Sequence, residues 1–440
     1  MRRAVLAGLM ATIALPSISA YASTEKHYPL LDTLADEAFF KDTKLSLTAK
    51  NHWKYLKEDE DGKKVHQAWG QSFGFDYESG YLFDLIGVDA SFISAIKLAD
   101  SKYFASRALL YNDNGEAKGY NKFAQRYLKL KLGNDQIKFK GKVGYQILKN
   151  YGVVTASNQL TKNSWLGYSG TTKMGDLTLD LAYLTHSINR DSPDKVNIKS
   201  RDGAYVIDYI YTGGLTYKDK DTYISYGYGY ADDYLRRHVI EASYKPNSNL
   251  TFATQIYGSY ALDNYKNMRA NKKEFDNHAW HYAFDTQWRE QDWSLKGGIA
   301  YTKAELDGQI GVYGRHLGKN TRGRFNAITS AGKDYMRDGE LALTAVGTYN
   351  FIEELTSGVQ LNYGQFDYKD NTVRTGEVAL FNIWQPADPR LKNLSIFSQF
   401  GYGLSYVNKN NTPTLTANGN YQRAHSLSGE ITITYKFGIL

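Results

Sequence analysis

Apolar and polar residues alternate one by one along most of this chain. From Ile431 the odd positions read Ile431, Ile433, Tyr435, Phe437 and Ile439, while the even ones read Thr432, Thr434, Lys436 and Gly438. Near the start, Leu45, Leu47, Ala49, Trp53 and Tyr55 oppose Lys44, Ser46, Thr48, Lys50, His52 and Lys54. Successive side chains of a strand point to opposite faces, so each segment has one apolar and one polar face. A soluble sandwich alternates too. Three features favour a membrane barrel instead. Many segments exceed ten residues, near the span of a tilted membrane strand. Aromatics sit close to segment ends, as do Trp53 with Tyr55 and Trp280 with Tyr282, the pattern of interfacial girdles. The final segment reaches the end of the chain, where a closed barrel pairs its last strand with its first. The predicted fold is all-β, a single transmembrane antiparallel β-barrel.

Seventeen segments carry the pattern: 43–55, 66–78, 80–98, 120–132, 136–147, 176–186, 200–211, 221–230, 234–245, 249–262, 279–289, 292–303, 340–350, 355–368, 373–384, 393–407 and 425–439. Bacterial single-chain barrels have an even number of strands, so 16 or 18 are expected. Connections come in two lengths. Gly133-Asn134-Asp135 and Lys245 to Ser248 are short, while 148–175, 187–199, 263–278 and 304–339 are long. Short periplasmic turns alternating with long external loops give this rhythm.

Composition narrows the picture. The 440 residues include no cysteine, so a disulfide framework, a thiol nucleophile and a Cys-type zinc cluster are excluded. With 37 tyrosines, 39 glycines and only 7 prolines, the chain suits one continuous sheet. The mean hydropathy of −0.51 is too polar for a helical membrane bundle. A formal charge of +7 does not indicate nucleic-acid binding. Residues 1–22 read as a secretory signal peptide, with Arg2 and Arg3, an apolar core from Ala4 to Leu15, and Ala20-Tyr21-Ala22 before the cut. Residues 23–42 then form a short arm, and 43–440 the barrel.

No enzyme signature emerges. There is no Gly-x-Ser-x-Gly and no His-Glu-x-x-His, and the 9 histidines are scattered. His278 and His281 are three apart, hence on opposite faces of a strand, and cannot share a metal. His281 is expected to line the lumen with Asp285. Gly227 and Gly229 of Tyr-Gly-Tyr-Gly-Tyr read as strand glycines that ease curvature. No metal and no cofactor are expected.

A passive pore needs a polar lumen, a constriction and charges that bias entry. In the hairpin around Gly133, Leu128, Leu130 and Leu132 share a face, so Lys129 and Lys131 take the other. Ile137, Phe139 and Val143 likewise leave Lys138, Lys140 and Lys142 facing inward. A charge facing lipid at the midplane costs about 2–4 kcal/mol, which fixes this orientation in a barrel. The five lysines form either an anion-attracting wall or a wall neutralised by carboxylates such as Asp180, Asp208 and Asp285. The loop 148–175 is a candidate constriction. Its Asn158, Gln159, Lys162, Asn163, Trp165 and Tyr168 combine amides, which satisfy sugar hydroxyls, with rings, which stack on sugar faces. The loop 304–339 carries Glu305, Asp307, Arg315, His316, Lys319, Arg322 and Arg324. It either folds inward as a second constriction or meets anionic lipid headgroups outside.

Several short stretches resemble the OprD family of outer-membrane porins. They are Asp61-Gly62 with Trp69-Gly70-Gln71, Gly80-Tyr81 through Gly87-Val88-Asp89-Ala90 to Lys97-Leu98, Gly144-Tyr145-Gln146, and Asp276-Asn277 with Ala279-Trp280. Gly323-Arg324-Phe325 through Gly339-Glu340 looks like the chitoporin branch. The resemblance runs from about Asp42 to the C-terminus. It implies a monomeric barrel of 18 strands with inward-folded constriction loops, in the outer membrane of a Gram-negative bacterium. Its partners would be outer-membrane lipid, lipopolysaccharide and small hydrophilic solutes. Carboxylate-selective members often carry Ser-Arg-Leu in the first constricting loop, where this chain has Asn158-Gln159-Leu160. The expected function is passive diffusion, with chitooligosaccharides as the leading solutes. Amino acids, peptides or carboxylates are the alternative, and a barrel enzyme or closed structural barrel is a third.

Overall fold

The computed structural model describes residues 38–59, 62–157, 159–319, 321–327 and 334–439. The signal segment 1–22, residues 23–37 of the arm, and Asn158 lie outside these. Eighteen strands form the wall. They are β1 (Lys44–Glu58), β2 (Lys64–Glu78), β3 (Ile86–Asp100), β4 (Tyr120–Gly133), β5 (Ile137–Gln146) and β6 (Ser164–Met174). Then come β7 (Leu177–Ile188), β8 (Ile210–Lys218), β9 (Thr222–Ala231), β10 (Leu235–Tyr244), β11 (Leu250–Ala261) and β12 (His278–Arg289). The circuit ends with β13 (Trp293–Lys303), β14 (Leu341–Ile352), β15 (Leu355–Tyr368), β16 (Asn371–Trp384), β17 (Leu394–Tyr406) and β18 (Arg423–Gly438).

Each strand pairs antiparallel with its sequence neighbours, and β18 returns to β1 with register Ser46↔Gly438 through Glu58↔Ser426. Closure leaves no unpaired edge, which hydrocarbon would not tolerate. The outer face exposes Leu128, Leu132, Leu181, Leu295 and Leu380, as a lipid-facing band must. Connections after even-numbered strands are short turns such as 134–136 and 175–176, and those after odd-numbered strands include every long loop.

Two expectations need correcting. The sequence count passed over β6, whose outward positions Tyr168, Gly170, Thr172 and Met174 lack a continuous apolar signature. At Gly170 the missing side chain leaves room for the Phe139 ring, because a Cβ there would sit 2.9 Å from Phe139 Cε2. The segment expected over 200–211 lies further on, at β8, preceded by the short paired stretches Lys195–Lys199 and Val206–Ile207. Residues 212–218, which fell between two expected segments, belong to this strand, with Gly213 and Gly214 near its middle. The first loop is therefore 147–163.

The core is inside the barrel. Loops 147–163, 189–209, 262–277 and 304–340 turn inward and pack their apolar residues on the inner wall. One buried cluster joins Val153, Val154 and Leu317 from the loops to Val239, Tyr257 and Ala283 from the wall. A smaller one gathers Phe104, Leu109, Leu110 and Leu160 against Ala68 and Ala95.

Candidate functional site

Two of the loops that fold into the lumen bind each other. Val154 and Gly323 form an isolated antiparallel bridge, Thr155 N donates to Arg322 O at 3.1 Å, and Arg324 N donates to Val153 O at 2.7 Å. Loop 147–163 reaches the wall at Gly152, above Gly214 and Gly227. A Cβ on Gly227 would fall 2.8 Å from Gly152 O, and one on Gly229 would fall 2.1 Å from Val153 Cγ2. The glycines of Tyr-Gly-Tyr-Gly-Tyr thus seat this loop, a use that their position on a strand did not reveal.

The second loop is anchored by charge. Arg324 reaches Glu241, Ser225 Oγ at 3.1 Å and Tyr223 OH at 2.8 Å on β9 and β10. Arg237 of β10 donates to Ser259 Oγ at 3.0 Å and to the carbonyls of Gly314 and Arg315 at 2.5 and 2.8 Å. Loop 304–340 therefore folds into the lumen, and Arg324 does not meet lipid headgroups. Glu305 and Asp307 stand exposed at its rim, Glu305 beside Lys303 at 3.2 Å.

At its other end, loop 147–163 faces β1 and β2. Gln159 O accepts from Lys50 Nζ at 2.5 Å and Gln159 Oε1 from Lys54 Nζ at 3.3 Å, while Leu160 O accepts from Ser72 Oγ. Lys54 is 3.5 Å from Glu430 on β18, which also pairs with His52 at 2.9 Å. Lys162 is exposed to the lumen, and Asn163 is buried with its side-chain oxygen on Ser157 N. Trp165 and Tyr168 are not on this loop. Both belong to β6, Trp165 buried in the interior cluster and Tyr168 61% exposed on the outer face. They offer a solute no stacking surface in the constriction.

Basic groups that the sequence reading did not bring together meet here. Arg107 and Arg190 come from loops 101–119 and 189–209, and both lie close enough to Lys54 to repel its charge. Arg190 donates to Ser157 Oγ at 2.7 Å. Burial, and then the like charges of Arg315 and Arg190, push the Arg322 guanidinium below its ordinary value, with nearby Asp334 opposing them. His316 has an exposed side chain, yet desolvation by the surrounding barrel, followed by the like charges of Arg315, Arg190, Arg201 and Arg237, holds it down to about 3. Arg315 is paired with Asp334. Among the described residues, no carboxylate forms an ion pair with Arg107, Lys162, Arg190 or Arg322. Above this row, a cavity of about 480 Å³ opens between Tyr313, Arg201, Lys319, Arg337, Asn408 and Asn411.

The five lysines of the Gly133 hairpin lie on the inner face, toward the short-turn end. Lys129 pairs with Asp89 at 2.7 Å and donates to Ser79 O at 2.6 Å, Lys131 pairs with Asp84, and Lys142 lies 4.6 Å from the Tyr127 ring. Lys138 and Lys140 are exposed. The partners are thus local, not Asp180 or Asp285, which bind Thr171 and Lys296. His281 is sealed beneath Tyr313 and Phe325 and does not line open lumen with Asp285. No group of three or more metal-ligating side chains occurs among the described residues.

A closed barrel with two inward loops and a cationic constriction is the architecture of a solute-specific porin. A family model described as outer membrane porin, OprD family, matches residues 37–363. The chain belongs to the OprD family of outer-membrane porins. Such proteins are channels, not enzymes. Among solved structures, OccK8 (OprE) of Pseudomonas aeruginosa is similar with a TM-score of 0.70 at 18% identity, over 92% of this chain and 100% of that one. OccAB1 of Acinetobacter baumannii reaches 0.75 at 14%, over 92% and 99%. OpdK of Pseudomonas aeruginosa, solved with vanillate, gives 0.68 at 14%, over 91% and 100%. At these identities the likeness is one of fold. No curated protein matches the sequence.

Membership in the OprD family places the long loops outside the cell and the short turns in the periplasm. The cationic row of this porin therefore stands in the external half of the lumen, and the lysine hairpin near the periplasmic exit.

Proposed function

We propose that this OprD-family porin passes small hydrophilic solutes down their gradient with a bias toward those bearing a carboxylate. The observation that carries the reading is the row Lys162, Arg107, Arg190 and Arg322, facing the lumen without a paired carboxylate. Charges of one sign in a low-dielectric channel concentrate counter-ions, and a solute carboxylate supplies the missing partner. Gln159 offers Lys50 only a neutral carbonyl acceptor, which a solute carboxylate replaces with a charged one, while Lys54 already faces Glu430. The lysines near the exit extend the same field. Vanillate, found with OpdK, is an aromatic carboxylate and belongs to this solute class.

Chitooligosaccharides are the second reading, carried by the likeness of Gly323-Arg324-Phe325 to the chitoporin branch. Asn408 and Asn411 in the 480 Å³ cavity suit sugar hydroxyls. The reading loses the two rings on β6. The same proposal includes a signal peptide cut after Ala22 and a monomeric barrel in the outer membrane.

The test is single-channel recording in a planar bilayer, with reversal potential in a salt gradient and blockade by benzoate, arginine and chitohexaose. Anion preference with blockade by benzoate alone is expected. Cation preference, or blockade by the sugar alone, overturns the carboxylate reading.

A further inference from the structure

The outer face of the barrel carries an apolar groove of about 550 Å³ that crosses β5 to β9. Gly170 and Gly213 form its floor, and Phe139, Tyr168, Leu181 and Tyr211 rise around it. Five strands about 4.8 Å apart give it a length of ~19 Å. One leaflet's share of the hydrocarbon core is similar, about 15 Å. The environment of this face is lipid, so the groove takes an acyl chain.

Its external rim says which lipid. Tyr183, Tyr209, Tyr211 and Tyr230 stack in series, with ring centroids 5.3, 6.2 and 5.1 Å apart. Tyr209 belongs to the external loop 189–209, which places this row at the outer leaflet. Arg236 of β10 projects outward beside it, its guanidinium 6.0 Å from the Tyr230 ring. Among the described residues it has no carboxylate partner. An arginine on the lipid face is costly unless it stands at the interface and meets an anion.

We propose that the groove is a docking site for lipopolysaccharide, with one lipid A acyl chain over Gly170 and Gly213 and a lipid A phosphate on Arg236. The external leaflet presents that chain and that phosphate together. The site is separate from the lumen, so it stands or falls independently of the carboxylate reading.

Native mass spectrometry of the folded barrel, titrated with lipid A, dephosphorylated lipid A and phosphatidylethanolamine, tests it. Gly213→Leu fills the floor, where an added Cβ meets only the end of Leu181 at 3.1 Å and a backbone oxygen at 3.5 Å. Gly347→Leu is the control, on the outer face of β14 with nothing within 4 Å of the added Cβ. One lipid A bound by wild type and control, and at least about tenfold more weakly by Gly213→Leu, is expected. Arg236→Gln should lose the preference for phosphorylated over dephosphorylated lipid A. Equal retention by Gly213→Leu and wild type overturns the proposal. So does retention of phosphatidylethanolamine as strong as that of lipid A. Heat-modifiable migration confirms that each variant is folded.

Discussion

Arg324 Nη2 lies 2.5 Å from Glu241 Oε2, both side chains buried inside the barrel, one on an external loop and the other on the wall. Asn326 Nδ2 adds a second bond to the same carboxylate at 2.8 Å, and Tyr257 OH donates to it at 2.9 Å. A buried pair adds little net stability over an apolar substitute, but removing one member leaves a bare charge. Glu241→Gln should weaken the seat of loop 304–340 by about 3–5 kcal/mol. Because Val154 and Gly323 join the loops, 147–163 should loosen with it. The expected record is a larger mean conductance with frequent sub-states, while the folded barrel keeps its resistance to detergent. Quiet, wild-type conductance in Glu241→Gln would show that the apolar cluster alone holds the loops.

Lys122 of β4 is buried, and its ammonium donates to three backbone carbonyls: Lys162 at 3.1 Å, Asn189 at 2.6 Å and Arg190 at 3.2 Å. It ties the end of one constriction loop to the start of another and so places Lys162 and Arg190. Charge-assisted hydrogen bonds contribute about 1.5–3 kcal/mol in such settings. Lys122→Met keeps the stem but not the donors. The reversal potential should shift toward lower anion preference, in the direction given by Arg190→Gln. A shift with Arg190→Gln but none with Lys122→Met would mean that Tyr120 and Thr161, which also bond Arg190 O, suffice.

Alternation revealed the wall because lipid and lumen impose opposite chemistry on neighbouring residues. It located the closing pair β1–β18 and the Gly133 hairpin. It failed at β6, where the outward face is interrupted by Gly170, and at β8, most of whose residues fell between the segments 200–211 and 221–230. The constriction was only half legible. Loop length marked 148–175, which ends earlier in the fold, and 304–339, but Arg107 and Arg190 join the site through folds of separate loops, at sequence distances that no local pattern encodes. Trp165 shows the converse error. An aromatic after a polar loop looks like a sugar platform, yet the strand it begins turns it into the core.

His316 makes the pH dependence of loop 304–340 predictable. Its pKa, near 3 in the folded loop, lies below the ordinary 6.5. The neutral ring is favoured when folded, so its contribution is full above pH 6.5. It is lost as pH falls toward 3, because only the released loop takes up the proton. Anion preference should therefore not rise between pH 7.5 and 5, as it would if His316 gained charge in place. Instead the closed loop should open more often as pH drops, and His316→Gln should flatten that trend. Current noise recorded across pH 4 to 7.5 checks both.

The seat of the first loop can be tested by exchanging volume across one contact. Gly229 on β9 faces inward, and any side chain there collides with Val153, whose β-branched stem has one favoured rotamer and little room to yield. Gly229→Ala should cost about 1–3 kcal/mol in loop docking, the usual range for overpacking. Val153→Ala alone leaves a small void and should cost somewhat less than that. Combined, the methyl added at 229 fills part of the space left by the two methyls lost at 153, so the double variant should recover much of the loss. The measurement is protease nicking within 147–163 on whole cells, alongside single-channel conductance. Additive losses in the double variant would show that Val153 is not held by Gly229, and that the bridge to Gly323 carries the loop by itself.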